Sequence, residues 1–495
     1  MSVALARENP SDPSSWSMQA TDMHSLESRI LAGLRKKGYP ATAVELDASK
    51  LKGGYICDTM RVYIAYGQAS EQHGVAKAEA TARTASRSLE QGLPKSVQAR
   101  PPTAILKIAS PLSNDHDVAM RLRLYEREWH FYEVLSSRVP IRVPTHLGSV
   151  KDEATGTITE GVLLEDLEVP GAVRCPKMDE AGVLKTVAHV ARQHAQFWNM
   201  PELSSGALGI KPHNSPWYQP GWGEDLAGYW PRFEKKWRAR MGGDAMGPGL
   251  PEEAFTIGKR IIECFSWIQD ELSSKPHTFN HGDVKPPNMF MMPGEVPAFI
   301  DWQYTAVGKG CQDIAFFLIE GYDIDECRRL EPIVMAHYHA ALVQHGIHDY
   351  SFDDLKRDWK LACMHFPMYV AFWFGTTPDE NLVDPGFPRR FVPRAFDAVL
   401  RNCAHELLPR EARAIKGLTI ETAQLSLASA PELDVLSPVP SNIEDCQKAL
   451  IETRAALSDM RRQRDAYKAA LKSIASIAAN AMPPEMPGSP DVALS

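Results

Sequence analysis

The sequence has no apolar run long enough to span a membrane, and it has no excess of positive charge. Its 495 residues carry a formal net charge of −8 at pH 7, which argues against nucleic acid as the main partner. The N-terminus lacks the apolar core of a signal peptide, and Glu8 and Asp12 argue against a transit peptide. We therefore expect a cytoplasmic protein with no membrane span and no nucleic-acid partner.

Cysteine is sparse, and its spacing excludes two further classes of fold. The eight cysteines are scattered between Cys57 and Cys446, with no CxxC pair. This distribution predicts reduced thiols and favours neither a disulfide framework nor a zinc site. The hydrophobic content of 44% is ordinary for a globular protein, and the length allows two or three domains with a large core.

Polar residues of the types that carry out catalysis or bind metal concentrate between residues 278 and 303, TFNHGDVKPPNMFMMPGEVPAFIDWQ. The pattern predicts a short apolar strand, then a loop with the sequence His-Gly-Asp, and then a hairpin with strands 289–292 and 298–300. The alternative is a surface loop that is polar because loops are polar. The order of Asp, Asn five residues later, and Asp-Trp-Gln after two strands is more specific than that.

Closing the hairpin brings Asp283, Asn288 and Asp301 to one end of it. Asn288 and Asp301 offer the hard oxygen ligands that Mg²⁺ takes in proteins. Asp283 is then left to accept a proton from an attacking hydroxyl, as the catalytic-loop aspartate does in phosphoryl transfer. The stretch therefore predicts a phosphotransferase site.

These motifs resemble those of the aminoglycoside phosphotransferase and choline-kinase-like small-molecule kinases. Within that group the sequence looks most like the ecdysteroid-kinase-like branch, which carries HGD, a following Asn and IDWQ. The resemblance covers roughly residues 22–425. It implies an α+β, bilobal, protein-kinase-like fold with a small β-rich N-lobe and a larger helical C-lobe. It also implies ATP and Mg²⁺ as cofactors and a hydroxylated small molecule as the acceptor.

The N-lobe supplies candidates for binding the nucleotide phosphates. Lys107 lies in the apolar run 103–108, and Glu128 lies in a helix over 122–135 within an E-x-x-F-Y pattern that looks like the family's. In kinases a strand lysine meets the phosphates and pairs with a helix glutamate. We therefore expect Lys107 and Glu128 to pair, with Glu126 and Glu133 as lesser candidates.

Further site residues follow from the same resemblance. Gly53 and Gly54 lie where a kinase lobe places its phosphate-covering loop, although no GxGxxG is present and glycine pairs are usually turns. Glu165 and Leu167, in the phrase LEDL, would mark the hinge between the lobes, where backbone groups bind adenine. His281 and Asp313 are expected to be structural; Asp313 would hold the catalytic loop from below, or simply cap its own helix.

Lys285 departs from the small-molecule kinases, which more often carry His or Trp two residues after the aspartate. The phrase D-x-K-P-x-N belongs to protein serine/threonine kinases, whose lysine contacts the transferring phosphate. Gly282 in place of arginine and Asp301-Trp302-Gln303 in place of DFG argue the other way. We therefore expect an ATP- and Mg²⁺-dependent phosphotransferase acting on a small-molecule hydroxyl. The alternatives are a protein Ser/Thr kinase-like activity and a nucleotide-binding pseudokinase scaffold. A sterol, an amino alcohol, a sugar or an antibiotic would each fit as the acceptor.

Two groups of aromatic residues admit either packing or a ligand-binding role. They are Trp217, Trp222, Trp230 and Trp237, and the run 366–374. His189 and His194 are interpreted as core or surface histidines, not as a metal pair.

The tail beyond the helical lobe has its own pattern. Residues 442–482 show a heptad repeat, which predicts a coiled-coil-like helix that favours a homodimer, with docking on the kinase domain as the alternative. The predicted organisation is a disordered tail 1–20, an N-lobe 21–167, a helical C-lobe 168–427, a Pro/Ser linker 428–441, the helix 442–482 and a disordered tail 483–495.

Overall fold

The computed structural model describes most of the first 410 residues. The described residues are 6–7, 16–17, 20–47, 56–67, 100–110, 116–175, 177–215, 222–240, 249–377, 384 and 386–410, and all of them fall in the unit Met1–Gly417. Gly53, Gly54, the linker 428–441, the predicted helix 442–482 and the tail 483–495 lie outside the described residues. Within the described ranges, no helix is long and apolar enough to cross a membrane.

Four residues near the N-terminus form the first two strands, β1 (Ala6–Arg7) and β2 (Trp16–Ser17), which pair antiparallel. At these residues the structure departs from the disorder that the Ser- and Pro-rich composition predicts. A ladder of backbone hydrogen bonds needs no particular side chain, so the composition does not exclude a pairing this short.

A five-stranded antiparallel sheet covered by one helix forms the β-rich part of the fold. The strand order is β3-β4-β5-β7-β6. Its elements are helix α1 (Ala20–Lys36) and strands β3 (Ala41–Leu46), β4 (Cys57–Tyr66), β5 (Thr103–Ala109), β6 (His146–Lys151) and β7 (Thr159–Glu165).

Helix α1 packs on the sheet through the apolar face that its sequence predicts. Leu26, Ile30 and Leu34, spaced four residues apart, are all buried. Gly33 lets the helix approach β6 closely, because a Cβ there would lie 2.5 Å from the carbonyl oxygen of Ser149. Each buried Leu or Ile side chain stabilises the fold by about 1.5–3 kcal/mol, so this contact anchors α1 to the sheet.

The central strand β5 presents different residues on its two faces. Ala104 and Leu106 are fully buried in the core beneath α1. Ile105 and Lys107 point to the opposite face and line a large cavity. The two-residue period of a strand therefore places one lysine in the cavity and keeps its neighbours in the core.

The segment after β5 is less regular than the single helix that the sequence predicts over 122–135. It consists of α2 (His116–Arg121), α3 (Leu124–His130) and a π-helical turn, Phe131–Leu135. Phe131 and Tyr132 are both almost fully buried. A π-helical turn changes the angular spacing of successive side chains, which allows two adjacent aromatic rings to enter the core.

Residues 141–143 do not form a strand, because the structure has only a single bridge there, between Arg142 and Ala298. Pro140 and Pro144 flank this segment, and proline lacks the N–H that a strand ladder needs. The edge strand of the sheet that follows in the chain is β6, and the opposite edge is β3.

The second part of the fold is mainly helical, with short strands around the loop that follows residue 280. Its elements are β8 (Val173–Arg174), α4 (Glu180–Gln196), α5 (Pro201–Ser204), α6 (Trp222–Arg240), α7 (Glu252–Glu263), α8 (Phe265–Ser273), β9 (Thr278–Asn280), β10 (Met289–Met292), β11 (Val296–Phe299), β12 (Ala306–Gly308), α9 (Cys311–Gly321), α10 (Ile324–Gln344), α11 (Phe352–Thr376) and α12 (Phe387–Arg401).

The tryptophans of α6 belong to the core of this helical part. Trp230 and Trp237 are buried; the ring of Trp230 lies 5.0 Å from that of Phe233, and Trp237 lies 5.8 Å from Phe374. Trp217 and the side chain of Trp222 lie outside the described residues. The architecture confirms the predicted α+β class, with an antiparallel sheet followed by a helical region.

Candidate active site

One cavity of about 760 Å³ is lined by both parts of the fold. Its walls come from β4, β5, residues 164–168, the loop after β9, and helices α9, α11 and α12. Seven of the predicted site residues line it: Lys107, Glu165, Leu167, Asp283, Lys285, Asn288 and Asp301. The loop, the hairpin and the strand lysine are therefore brought together as the sequence predicts.

Lys107 lies between two carboxylates at the sheet side of this cavity. Its Nζ is 2.6 Å from Oε1 of Glu128 and 2.5 Å from Oδ1 of Asp301. Burial disfavours the charged amine, but the two carboxylates outweigh burial and raise the pKa of Lys107. The lysine thus stays cationic and links β5, α3 and the end of the hairpin.

Glu128, not its acidic neighbours, is the partner of Lys107. Glu128 is fully buried, and burial raises its pKa to about 7, since the nearby Asp301 adds to the effect and Lys107 only partly offsets it. Glu126 pairs with Arg123 at the surface, and Glu133 pairs with Lys151.

The loop after β9 turns sharply at Gly282. Its φ is +83°, and a Cβ at this position would lie 2.1 Å from the carbonyl oxygen of Tyr304. Both the backbone conformation and the lack of space require glycine. The residue that distinguishes this HGD motif from HRD is therefore fixed by packing against the segment after the hairpin.

Asp313, in the first turn of α9, holds the loop from behind. Its Oδ2 accepts hydrogen bonds from the backbone N–H of His281 (2.8 Å) and from Nε2 of His194 (3.1 Å), and its Oδ1 accepts one from the N–H of Gly282 (2.8 Å). Burial alone would raise the pKa of Asp313, but these bonds and the neighbouring histidines lower it. The carboxylate therefore caps the backbone of this loop. It does not cap its own helix, whose N-cap residue is Gly310.

His281 connects the loop to the hairpin. Its Nε2 lies 3.0 Å from the carbonyl oxygen of Ile300, and its Nδ1 accepts the backbone N–H of Asp283 at 3.1 Å. This pattern places the proton on Nε2. Burial lowers the pKa of His281, against the opposing effect of Asp313, so the ring is a neutral structural link.

Asp283 is buried at the floor of the cavity, and only 4% of it is exposed. One carboxylate oxygen lies 3.1 Å from Nζ of Lys285, and the other accepts Nδ2 of Asn288 at 2.8 Å. Burial and the charge of Asp301 raise the pKa of Asp283 to about 6, although Lys285 and Asn288 act against them. A carboxylate with this pKa can take up a proton near neutral pH.

The hairpin sets Asn288 beside the residue that precedes Asp301. Strands β10 and β11 pair from Met289 with Phe299 to Met292 with Val296, and the N–H of Ile300 donates to the carbonyl oxygen of Asn288 at 3.0 Å. The returning strand begins at Val296, two residues earlier than the sequence predicts. Asp301 follows with φ of 69°, a left-handed conformation that aspartate tolerates better than most residues.

The oxygen atoms of Asn288 and Asp301 suit a divalent cation. Because Nδ2 of Asn288 is used by Asp283, its Oδ1 faces no hydrogen-bond donor in the described part of the chain. Burial would raise the pKa of Asp301, but Lys107 outweighs it and lowers the pKa, which keeps the group anionic. Two oxygen donors that line the same cavity form the kind of partial site that Mg²⁺ occupies with phosphates and water.

The segment predicted to be the hinge also lines the cavity. The Glu165 side chain accepts hydrogen bonds from Arg142 (2.5 Å) and Thr145 (2.8 Å), so its carboxylate serves the local structure. The carbonyl oxygen of Leu167 accepts the N–H of Val169, whereas the Leu167 N–H has no acceptor among the described residues.

Some residues of the site were not predicted from the sequence. His194 bonds to Asp313 through Nε2 and to the hydroxyl of Tyr338 through Nδ1, and it had been interpreted only as a core or surface histidine. Glu320 lines the cavity near Asp283, as does Tyr369, which belongs to the aromatic run 366–374 for which the sequence left both packing and ligand binding open. The phrase HAQFW around His194 was the one local signal, and it did not indicate the partner of the histidine.

The strand lysine with its helix glutamate, and the Asp–Asn–Asp arrangement of loop and hairpin, define a bilobal kinase-like enzyme. Residues 97–349, just over half of the chain, match the model of the phosphotransferase enzyme family, APH. The chain belongs to this family and is a phosphotransferase of the small-molecule kinase type. The family resemblance is confirmed; the ecdysteroid-kinase-like branch stays a prediction.

The solved structures that match the chain include several small-molecule kinases. Macrolide 2'-phosphotransferase MphH from Brachybacterium faecium is 13% identical, and the match covers 79% of this chain and 100% of that one with a TM-score of 0.36. A microcompartment-associated aminopropanol kinase is 13% identical over 77% and 98% of the two chains, with a TM-score of 0.44. Choline kinase LicA from Streptococcus pneumoniae is 12% identical over 66% and 100%, with a TM-score of 0.35. No curated protein sequence matches the chain with significant similarity.

Proposed function

We propose that the protein is an ATP- and Mg²⁺-dependent phosphotransferase that moves the γ-phosphate to a hydroxyl of a small molecule. The observation that carries this proposal is the convergence of Lys107, Asp283, Lys285, Asn288 and Asp301 on one cavity. The residues predicted to form the hinge and a group of aromatic side chains line the same cavity, which supports binding of a nucleotide and an acceptor together.

Each residue has a role that its surroundings support. Lys107, held by Glu128, binds phosphate oxygens of the nucleotide. Asn288 and Asp301 hold Mg²⁺, which when bound neutralises charge on the phosphates. The Leu167 N–H and the backbone around Glu165 bind adenine. Gly53 and Gly54 are proposed to cover the phosphates on sequence grounds alone.

Asp283 orients the acceptor hydroxyl and takes its proton. The acceptor oxygen forms a bond to the γ-phosphorus as the bond from that phosphorus to the bridging oxygen breaks, and the nucleotide leaves as the diphosphate. Lys285, ion-paired to Asp283, is close enough to meet the transferring phosphoryl group. His281 and Asp313 keep the loop in place. Such catalysis is mainly orientation and charge neutralisation.

The acceptor end of the cavity is largely aromatic. Five aromatic side chains line it: Tyr304, Phe316, Tyr369, Phe387 and Phe391. The centroids of neighbouring rings in this group are at most 6.4 Å apart. Such a wall accommodates a small organic molecule. Assignment to the ecdysteroid-kinase-like branch is part of the proposal.

A labelled-phosphate assay tests this function. The purified full-length protein, with ATP and Mg²⁺, should transfer label to at least one member of a panel of hydroxylated metabolites, and the Asp283→Asn variant should not. Label on generic protein substrates would favour the protein Ser/Thr kinase alternative. Nucleotide binding without turnover on any acceptor would favour a pseudokinase scaffold.

Two further expectations complete the proposal. The heptad pattern of 442–482 predicts a homodimer, with docking on the kinase domain as its alternative. A cytoplasmic location agrees with the seven cysteines in the described part of the chain, none of which forms a disulfide.

A further inference from the structure

Arg127 is a buried cation on the helix that carries Glu128, and only 7% of it is exposed. Its Nε and Nη2 donate to the carbonyl oxygen of Thr305 at 3.0 and 2.7 Å, and its Nη1 reaches the carbonyl oxygen of Leu122 at 3.4 Å. The guanidinium therefore donates two hydrogen bonds to one backbone carbonyl, which belongs to a residue 178 positions away in the sequence.

Thr305 is the far end of the short segment that begins at the proposed metal ligand Asp301. At the near end, Lys107 joins Asp301 to Glu128. In between, the ring of Trp302 stacks on Phe131 with centroids 3.8 Å apart and planes 4° from parallel. The segment 301–305 is thus held at Asp301, Trp302 and Thr305 by residues of β5, of the π-helical turn and of α3.

The same segment also touches the loop of Asp283. The carbonyl oxygen of Tyr304 lies against Gly282, and the Arg127 guanidinium lies 5.9 Å from the centroid of the Tyr304 ring. A shift of residues 304–305 would therefore move both the backbone that leads to Asp301 and the packing under the loop.

Burying a guanidinium costs free energy that hydrogen bonds must offset. Hydrogen bonds from a charged donor are stronger than neutral ones and impose a geometry, because the planar fork fits its acceptor in few orientations. Arg127 is therefore suited to hold a backbone segment at a fixed distance from α3.

We propose that Arg127 is a positioning residue for the metal-nucleotide site: by fixing Thr305 to α3 it sets the orientation of Asp301. This inference rests on the proposed function for the identity of the ligand. It differs from a purely structural role in requiring that Mg²⁺-dependent binding suffers more than folding does.

The test uses the full-length protein with three substitutions. Arg127→Met keeps much of the side-chain volume and removes every donor, and Arg127→Lys keeps the charge but not the fork. Glu126→Gln is the matched control, since it lies on the same helix and pairs only at the surface with Arg123. Calorimetry measures binding of a non-hydrolysable ATP analogue over a range of Mg²⁺ concentrations, at a temperature where every variant is folded by circular dichroism.

We expect Arg127→Met to weaken Mg²⁺-dependent binding about tenfold or more, Arg127→Lys to have an intermediate effect, and Glu126→Gln to match the wild type. Binding of the analogue without Mg²⁺ should change little in all three. If Arg127→Met binds the analogue with the wild-type dependence on Mg²⁺, the inference is overturned. If Arg127→Met does not fold, the same wild-type dependence in Arg127→Lys overturns it.

The readout separates this inference from the proposed function. A wild-type protein that binds the Mg²⁺-nucleotide but phosphorylates no acceptor would contradict catalysis and still test Arg127. A wild type that binds no nucleotide would overturn both.

Discussion

Nζ of Lys285 lies 3.1 Å from Oδ1 of Asp283, so that the proposed base carries its own counter-ion on the same loop. The ion pair restrains a pKa that burial and the charge of Asp301 would otherwise raise further, and holds it at about 6. It also keeps Lys285 cationic: burial opposes the charged amine, but Asp283, with Glu320 nearby, raises its pKa above the usual range.

The first prediction concerns the pH profile. Asp283 must be ionised to accept a proton, so turnover should fall as the pH drops through about 6. Lys285→Met removes the charge that lowers this pKa, so the acidic limb should move to higher pH and turnover at neutral pH should fall. Acceptor affinity should change little. If the variant keeps the wild-type pH profile and rate, Lys285 has no role in turnover.

The second prediction separates the two aspartates. Asp283→Ala should reduce kcat by about 10²–10⁴ with little loss of nucleotide affinity, because a proton acceptor acts in the transition state. Asp301→Ala should instead weaken Mg²⁺-dependent nucleotide binding. The measurements are steady-state kinetics and nucleotide titration with and without Mg²⁺. Equal effects of the two substitutions on ATP affinity would contradict the assigned roles.

The third prediction uses two glycines with nearly equal backbone angles. Gly282 has φ of +83° and no room for a Cβ, whereas Gly294, in the hairpin turn, has φ of +79° and no atom within 4 Å of its Cβ position. Gly294→Ala should cost only the backbone strain, about 1–2 kcal/mol. Gly282→Ala should cost more and also abolish turnover. Urea unfolding and the kinase assay measure the two effects; similar losses of stability would show that the loop can move away from Tyr304.

The fourth prediction concerns the carboxylate behind the loop. Asp313→Asn leaves one acceptor oxygen where the two loop N–H groups and His194 now bind. Leaving a buried N–H unpaired should destabilise the protein by about 1–3 kcal/mol. Because the folded pKa of Asp313 is lowered, its stabilising effect is present above the unfolded pKa of about 3.9 and is lost as the pH falls below it. The Asp313→Asn variant should therefore lose less stability than the wild type as the pH falls, as measured by urea unfolding between pH 3 and 7.

The fifth prediction concerns the tail and stands on the sequence alone. Truncation after Leu427 should leave phosphotransfer intact and convert a dimer into a monomer, as measured by light scattering. An isolated amphipathic helix of this length is marginal in water unless its apolar stripe is covered. A full-length protein that is already monomeric at micromolar concentration would contradict the dimer.

The sequence was sufficient for the parts of the site that are local in the chain. Asn288 and Asp301 flank one hairpin and Asp283 lies just before it, so turn residues and strand alternation were enough to bring them together. Lys107 and Glu128 lie only 21 residues apart in the chain, and the two-residue period of a strand places Lys107 and the buried Leu106 on opposite faces of β5.

The contacts that fix these parts were not predictable in the same way. Arg127 meets Thr305, and His194 meets Asp313, over sequence separations of 178 and 119 residues. No periodicity connects such positions, because the pairing follows from how the sheet and helices pack. The π-helical turn at Phe131 likewise follows from tertiary packing, since both aromatic rings must enter the core, and the sequence between Leu124 and Leu135 resembles an ordinary helix.

The left-handed backbone of Asp301 has a consequence for how this site could change during evolution. Asparagine and glycine accept such a φ readily, whereas longer or branched residues do so at a higher cost. Glutamate would keep the charge yet meet backbone strain, while asparagine would keep the backbone and lose the charge. Descendants of this protein that gave up catalysis and kept the fold are therefore expected to carry Asn or Gly at this position, not Glu.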